Sequence, residues 1–174
     1  MMELVSLVLT TFNCRENLLK TLASIENQDY PEIEVVIKDG GSSDGTLDVI
    51  KEYSQNSHFS VKWASGADGG LYDAMNQGLS LSTGAVILFF NDRFTGNDVV
   101  SKCIRLMNEE GTDGVHGDLV YAQDGVVKRY WKMGKGKVGS GWMPGHPTLF
   151  LRREIYDRYG DYDSSYQCSA DFEL

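Results

Sequence analysis

The feature that most constrains the fold of this chain is a strand-and-helix alternation that repeats four times before residue 109. Four short apolar runs are predicted to be strands: Leu4–Leu9, Ile33–Lys38, Phe59–Ala64 and Ala85–Phe90. Each run is followed by apolar residues at helical spacing. This alternation is typical of βαβ units with right-handed crossovers. The sequence therefore predicts an α/β fold with a mostly parallel sheet flanked by helices, in which the wholly apolar run Ala85–Phe90 is a central strand.

Two polar residues are predicted to cap helices. Asn13 precedes the first helical segment, and Glu16 follows three residues later in the capping-box position. Asp98 precedes the fourth helical segment in the same way.

The pattern changes after Asn108. The runs Val115–Val120 and Val126–Met133 read as strands joined by a hairpin turn at 123–125. The Gly- and Lys-rich stretch Lys132–Gly141 reads as a loop, and Thr148–Leu151 as a short strand before a last helix. We therefore expect a C-terminal region built from a β-hairpin and loops.

We interpret residues 1–174 as a single domain with two halves, 1–108 and 109–174. The last residues resemble a helix that begins at Ser169 and stops after one turn, and a helix that short is not stable alone. We therefore expect the chain to be truncated at its C-terminus.

Composition excludes several classes of protein. The hydrophobic fraction of 41% argues against disorder, and the 25 acidic residues against 16 basic ones give a net charge of −9, which argues against nucleic-acid binding. The three cysteines form no CxxC pair, which favours reduced thiols in the cytosol. No apolar run approaches the roughly 20 residues of a membrane-spanning helix, and no secretory signal is evident.

Polar residues follow each of the four predicted strands, in the segments Thr10–Asn13, Asp39–Thr46, Gly66–Gly70 and Asn91–Arg93. Any one of these clusters, taken alone, is better explained as a helix cap. The carboxyl ends of parallel strands, however, meet at one edge of a sheet, where α/β proteins bind their ligands. Four clusters at one edge therefore predict a ligand site.

The order and the amino-acid sequences of these clusters resemble those of the family 2 glycosyltransferases, an inverting group with the GT-A fold. The matching stretches are Val8–Asn13, Val35–Thr46, Asp68–Gly78, Gly84–Asn91, Gly145–Thr148 and Ala170–Leu174. The resemblance implies a GT-A-type fold that binds a nucleotide-diphosphate sugar in the first half and an acceptor in the second.

The resemblance also implies roles for individual residues. Asp39 matches the aspartate that accepts a hydrogen bond from the base, and Thr11 and Phe12 match positions packed around that base, with Asn13 in the same loop. Asp68 and Asn76 match positions near the ribose, the diphosphate or the sugar. Asp44 has a competing interpretation as a cap of the helix that opens at Gly45.

The expected metal site departs from the family pattern. Family members present two or three acidic residues after the fourth strand to bind Mg²⁺ or Mn²⁺, whereas this chain has only Asp92, followed by Arg93. Asp92 alone can serve as a metal ligand when substrate phosphates complete the coordination sphere. Alternatively, Arg93 neutralises the leaving diphosphate directly. We favour Asp92 with Mg²⁺ or Mn²⁺.

Asp171 matches the family's catalytic base, which takes the proton of the acceptor hydroxyl. Its competing interpretation is an acidic residue in the first turn of a helix. His146 matches a position near the diphosphate or the acceptor, and a structural role is equally open. Trp131 and Trp142 flank the Gly-rich loop, where they stack on an acceptor sugar or only pack.

The predicted function is that of an inverting glycosyltransferase in bacterial cell-surface polysaccharide or glycoconjugate synthesis, with a UDP-sugar as the favoured donor. The acceptor is a saccharide or a lipid-linked saccharide, and the expected location is the cytoplasm, at the inner face of the membrane. The alternatives are a nucleotide-sugar-binding module without activity and, less favoured, a nucleotidyltransferase. The latter usually carries a Gly-rich signature with a basic residue near the N-terminus, which Thr10–Cys14 lacks.

Overall fold

The computed structural model describes residues 2–123, 125–136, 142–166 and 170. The strands in these residues are β1 (Val5–Thr11), β2 (Ile33–Asp39), β3 (Ser60–Ser65), β4 (Val86–Phe89), β5 (Gly114–His116), β6 (Leu119–Gln123), β7 (Val126–Trp131) and β8 (Leu149–Arg152). The helices are α1 (Arg15–Glu26), α2 (Thr46–Asn56), α3 (Leu71–Leu81), α4 (Val99–Glu110) and α5 (Arg153–Tyr159), and a 3₁₀ turn covers His146–Thr148.

The main sheet has six strands in the order β3-β2-β1-β4-β8-β5. The first four strands along the chain are parallel, whereas β8 runs antiparallel to both of its neighbours, β4 and β5. The predicted α/β class is therefore confirmed, and β4 is an inner strand as its apolar sequence predicts.

Helices cover both faces of the sheet because successive strand residues point to opposite faces. In β1, the buried Leu7 and Leu9 pack in one core with α1, α2 and α4, whereas Val8 packs in a second core with α3 and α5. Helix α3 lies so close to β1 that a Cβ atom on Gly78 would lie 2.5 Å from Cγ1 of Val8. The sheet is thus the middle of three layers, with helices packed on both of its faces.

The second half differs from the prediction in one respect. The run Val115–Val120 is not one strand, because the chain leaves the main sheet at Gly117: β5 pairs with β8, and β6 pairs with β7 in a separate hairpin. The Asp118 carboxylate accepts hydrogen bonds from the Tyr130 hydroxyl (2.7 Å) and the Met133 N–H (2.9 Å), and these bonds fix the chain in its new direction. Every residue of β7 is exposed.

The predicted cap at Asn13 is wrong. Helix α1 begins at Arg15 with Cys14 as the N-cap residue, and Asn13 adopts a left-handed conformation (φ 47°) outside the helix. Its side-chain oxygen instead accepts a hydrogen bond from the Ser43 N–H, 30 residues away. Asp98 does precede α4, but its carboxylate pairs with Lys102 rather than with a backbone N–H of the first turn.

A buried carboxylate fastens the start of β2 to the connection between α3 and β4. Glu34 is 1% exposed and accepts hydrogen bonds from Ser6 Oγ on β1, from both the N–H and the hydroxyl of Thr83, and from the Gly84 N–H. The Lys62 ammonium lies 2.7 Å from its Oε2. Burial alone would raise the pKa of Glu34, but these donors outweigh it and lower the pKa from 4.5 to about 2.

Among the helices of the described ranges, none has the length and apolar character that crossing a bilayer requires.

Candidate functional site

The loops that follow β1 and β2 are joined by the carboxylate of Asp39. Asp39 is fully buried, and its Oδ1 accepts hydrogen bonds from the hydroxyls of Thr11 (3.2 Å) and Ser42 (2.5 Å). Its Oδ2 accepts from the N–H groups of Gly41 and Ser42, both at 3.0 Å, and from the Ser65 hydroxyl at 2.6 Å. Burial would raise the pKa of Asp39, but the bonds from Ser42 and Ser65 lower it, so the group stays charged.

These contacts use the full accepting capacity of the Asp39 carboxylate, which offers about four lone-pair positions. Five protein donors already occupy them. The expected hydrogen bond from a nucleotide base to Asp39 remains a prediction, and it would require one of these donors to yield its place.

A second pair of bonds brings Phe12 and Asn13 over the loop that follows β2. The Asn13 N–H donates to Ser42 Oγ (2.8 Å), and the Ser43 N–H donates to Asn13 Oδ1 (2.9 Å). Phe12 is 65% exposed, and its ring lies 3.2 Å from the position that a Cβ on Gly40 would take. The two loops thus present an exposed aromatic ring beside a glycine that admits close approach.

Asp44 belongs to the start of α2. Its Oδ1 accepts from the N–H (3.0 Å) and the hydroxyl (2.6 Å) of Thr46, and its Oδ2 accepts from the Arg15 N–H (3.1 Å). Asp44 is not the N-cap residue of α2, because Gly45 holds that position, but its carboxylate binds the first residue of the helix.

A buried lysine, which the motif analysis did not single out, holds the loop after β3. The Lys38 ammonium donates to the carbonyls of Asp39 (2.8 Å) and Gly66 (2.7 Å) and to Asp68 Oδ2 (3.1 Å). Asp68 Oδ1 accepts from the Gly70 N–H at 3.1 Å. Asp68 therefore lies at the expected edge of the sheet, where its carboxylate fixes the loop that opens α3.

Asn76 lies on α3 and contacts the C-terminal segment. Its amide donates to the Tyr162 carbonyl (2.8 Å) and accepts from the Tyr162 N–H (3.0 Å). Both ends of the amide are therefore engaged with one backbone position, and the expected contact of Asn76 with the donor stays a prediction.

The segment after β4 carries the candidate metal ligand. Asn91 is tied to β1, because its amide donates to Thr10 Oγ1 (2.9 Å) and accepts from the Thr10 N–H (3.1 Å). Asp92 and Arg93 follow, and both are exposed. Nowhere in the described part of the chain do three or more His, Cys, Asp or Glu side chains form a group that could hold a metal ion. Asp92 thus belongs to no such group among the described residues, and one carboxylate suits a cation only when a ligand supplies further oxygens.

Two large cavities adjoin Asp92. The first has a volume of about 540 Å³ and is lined by Asp92, Leu119, Val120, Tyr121, Trp131, Met133 and the segment from Trp142 to Pro147. The second, of about 520 Å³, shares Asp92 and part of β6 but extends to Lys20 on α1 and Cys103 on α4. Arg93 lines only this second cavity. Asp92 therefore borders both cavities, whereas Arg93 borders only the second.

His146 lines the first cavity and packs in an aromatic cluster. Its ring stacks on Phe89, with 5.7 Å between centroids, and lies edge-on to Tyr162 at 5.9 Å. His146, Asp92, Trp131 and Trp142 thus line one cavity, although Asp92 lies far from the others in the sequence. Asp171 lies outside the described residues, so its role as a base stays a prediction.

A smaller hollow of about 260 Å³ lies beside the end of β1. Its lining includes Thr10, Thr11, Phe12, Asn17 and Asn91. The candidate site therefore extends along the sheet edge from this hollow, past Asp92, to the first cavity.

Known proteins resemble this chain along most of its length. The profile of "Glycosyl transferase family 2" matches residues 6–168. A PGL/p-HBAD biosynthesis glycosyltransferase of Mycobacterium bovis is 29% identical over 97% of this chain and 67% of its own length. The WfaP glucosyltransferase of Escherichia coli is 31% identical over 72% of this chain and 50% of its own length. Its name gives UDP-Glc as donor and α-D-GlcNAc-diphosphoundecaprenol as acceptor.

Solved structures share the fold. TarS of S. aureus in complex with UDP superposes with a TM-score of 0.77 at 19% identity, covering 97% of this chain and 53% of TarS. The mannosyltransferase PcManGT of Pyrobaculum calidifontis, solved with GDP-Man and Mn²⁺, gives a TM-score of 0.74 at 16% identity, covering 94% of this chain and 48% of that protein.

The chain thus spans about half the length of these solved proteins and of WfaP, and 67% of the mycobacterial relative. The family profile covers nearly all of the sheet whose carboxyl edge carries the site. This chain belongs to glycosyl transferase family 2.

Proposed function

We propose that this chain binds a nucleotide-diphosphate sugar along the carboxyl edge of β1, β2 and β4 and takes part in transferring the sugar, with inversion, to an acceptor hydroxyl. The observation that carries the proposal is the pair of joined loops after β1 and β2. They present Phe12, 65% exposed, beside Gly40 in a chain of this family. An exposed ring held on a fixed loop suits a nucleotide base, which has a flat apolar face.

The end of the site that would bind the nucleotide base is formed by two loops, and most of its polar side chains bind other residues of those loops. Thr11 and Asp39 bind each other across the two loops, and Asn13 adds two further bonds. In this proposal, Phe12 stacks on the base, and Asp39 keeps the loop in shape and offers its charge to a base N–H.

The diphosphate end lies near Asp92. The residues provide a minimal set of ligands for a Mg²⁺ or Mn²⁺ ion, since one carboxylate and the diphosphate oxygens of the donor can share the coordination sphere. When bound, such an ion would supply positive charge for the leaving diphosphate. Asp92 is the residue that would hold it, and Arg93, which lines the neighbouring cavity, is the alternative source of positive charge.

Inverting transfer needs one base at the acceptor. As the acceptor oxygen forms its bond to the anomeric carbon, the bond from that carbon to the diphosphate breaks on the opposite face. The proton of the acceptor hydroxyl passes to the base. We assign this base to Asp171, on the match of Ala170–Leu174 to the family pattern. His146 is proposed to contact the diphosphate or the acceptor, because it lines the cavity that also contains Asp92.

We propose a UDP-sugar as donor and a saccharide or lipid-linked saccharide of bacterial glycoconjugate synthesis as acceptor. The support comes from relatives: WfaP carries UDP-Glc and a diphosphoundecaprenol-linked sugar in its name, and TarS has been solved with UDP. Membership of a glycosyltransferase family argues against the nucleotidyltransferase alternative.

Calorimetric titration of UDP, GDP, CDP and dTDP, with and without Mn²⁺, tests the donor site. We expect one nucleoside diphosphate to bind more tightly with Mn²⁺ in the wild type and to lose that dependence in Asp92→Asn. Equal binding in EDTA would instead assign the diphosphate to Arg93, and Arg93→Ala should then be the more damaging change. Absence of binding by all four nucleotides would refute the donor site.

The catalytic step is tested separately with Asp171→Asn. General base catalysis contributes about 10²–10⁴ in rate, so release of nucleoside diphosphate in the presence of an acceptor should fall by about that factor while donor affinity stays unchanged. Undiminished turnover would remove Asp171 from the mechanism. Donor binding without any turnover by the wild-type protein, across donors and acceptors, would favour the binding-module alternative.

A further inference from the structure

The cavity of about 540 Å³ between the hairpin β6–β7 and the segment 142–147 adjoins the donor site at Asp92, but most of its lining has no role in that site. We infer that it binds the neutral sugar ring of the acceptor, with Trp131 and Trp142 as the stacking surfaces. This inference rests on the proposed function, because it assigns the acceptor of the same reaction.

The position of the cavity relative to the sheet supports an acceptor rather than a donor. In the strand order β3-β2-β1-β4-β8-β5, the joined loops that hold Phe12 follow β1 and β2 on one side of β4. The cavity contacts Asp92, directly after β4, and is otherwise lined by β6, β7 and the segment before β8. A donor that extends from Phe12 to Asp92 would therefore direct its sugar toward this space.

The chemistry of the lining supports a neutral ring. Tyr121, Trp131 and Trp142 contribute aromatic faces, and Met133 with two prolines adds apolar surface. The negative face of an aromatic ring attracts the C–H groups of a pyranose face. Among the described residues that line it there is no Lys or Arg, and this composition suits a neutral ring better than a second diphosphate. Asp92 and His146 add polar groups to this mainly apolar lining, and the volume lies within the roughly 300–1,000 Å³ typical of ligand sites.

The wall that carries Trp142 is held in place. Its indole N–H donates to the Met133 carbonyl (3.0 Å), and its ring lies 5.3 Å from that of His116. Met133, in turn, is fastened to Asp118 through its backbone N–H, and its sulfur accepts from the Gly145 N–H. A surface fixed before the ligand arrives loses less entropy on binding.

The wall that carries Trp131 is fixed by a neighbouring cation. The Arg129 guanidinium lies 5.5 Å from the centroid of Tyr121 and 5.9 Å from that of Trp131, within the range of cation–π attraction. Trp131 nevertheless remains 38% exposed. The ring is thus oriented by contacts within the hairpin while part of its surface stays open to a ligand.

The experiment is saturation-transfer NMR with methyl pyranosides of glucose, galactose, mannose and N-acetylglucosamine, with Kd values from tryptophan fluorescence. Trp131→Ala is the test variant. Trp63→Ala is the matched control, because Trp63 lies on the edge strand β3 and is 37% exposed, almost the same as Trp131. UDP binding is measured on each protein by calorimetry.

We expect the ring protons of at least one pyranoside to receive saturation from the wild-type protein. The Kd of that pyranoside should rise by about tenfold in Trp131→Ala and stay unchanged in Trp63→Ala. UDP should bind equally to all three proteins. An unchanged Kd in Trp131→Ala, or no saccharide contact in a wild type that binds UDP, would overturn this inference and leave the donor site standing. Saccharide binding that depends on Trp131, without any nucleotide binding, would support the cavity and refute the proposed donor.

Discussion

The buried carboxylate of Glu34 should make the stability of the fold depend on pH in a defined window. Hydrogen bonds from Lys62, Ser6 and Thr83 outweigh the effect of burial and lower the pKa of Glu34 from 4.5 to about 2. Because the folded pKa is the lower one, the charged group stabilises the fold above pH 4.5, and that contribution is lost as the pH falls toward 2.

The magnitude follows from the pKa difference. At about 1.4 kcal/mol for each tenfold change in proton affinity, the difference corresponds to about 3 kcal/mol at neutral pH. Lys62 is 37% exposed, so solvent screens its part, and we expect about 2–3 kcal/mol in practice. About 1.4 kcal/mol of the unscreened value is already lost at pH 3.5, where the unfolded carboxyl is largely protonated and the folded one is not.

Urea unfolding of the wild type and of Glu34→Gln at several values between pH 7 and pH 3.5 measures this contribution. The other carboxylates titrate in both proteins, so the gap between the two free energies of unfolding isolates Glu34. We expect that gap to narrow by about 1 kcal/mol between pH 7 and pH 3.5.

Lys62→Met provides a second variant that keeps the carboxylate and removes one of its donors. Its folded pKa should lie closer to 4.5, so its stability should change less with pH than that of the wild type. If wild type and Glu34→Gln lose stability in parallel over this range, Glu34 does not have the lowered pKa and the reasoning is wrong.

The remaining predictions concern contacts at the site and beneath it. Lys38→Met leaves Asp68 without its buried partner and should cost about 3–5 kcal/mol in urea unfolding; a loss below about 0.5 kcal/mol would contradict the buried ion pair. Asn76→Ala frees both backbone groups of Tyr162 and should cost about 1–3 kcal/mol, and limited proteolysis should then cut faster near Tyr162. Asp39→Ala should weaken nucleotide binding by about 1–3 kcal/mol in calorimetry, and unchanged affinity would remove it from the donor site.

The part of the fold that depends on local periodicity could be predicted from the sequence. The four strands and helices before residue 109 have continuous apolar runs or helical spacing, and both patterns arise from contacts within one element. The polar segments at the strand ends were correctly placed at one edge, because parallel strands leave no other choice. Phe12 follows β1, Asp39 is the last residue of β2, and Asp92 follows β4.

The parts that failed depend on partners far away in sequence. Asn13 resembles a helix cap locally, but its side chain binds Ser43 on the next loop, and only the tertiary structure decides between the two. The run Val115–Val120 is apolar enough for one strand, and its division rests on Asp118 finding donors in Tyr130 and Met133. Lys38 did give a usable signal, since a lysine at the end of a buried apolar strand requires a partner.

The antiparallel strand β8 has a consequence for the order in which the molecule assembles. Strand β5 pairs with β8, and β8 pairs with β4, so β5 has no route into the main sheet until residues 149–152 have left the ribosome. Until then the outer edge of β4 carries unpaired backbone groups, although β1 to β3 can already form beside it. Pairings across such sequence separations form slowly and expose strand edges in the meantime. The side of the sheet that carries the proposed donor site is thus free to assemble during synthesis, whereas closure of the other side depends on the insertion of one late strand of four residues.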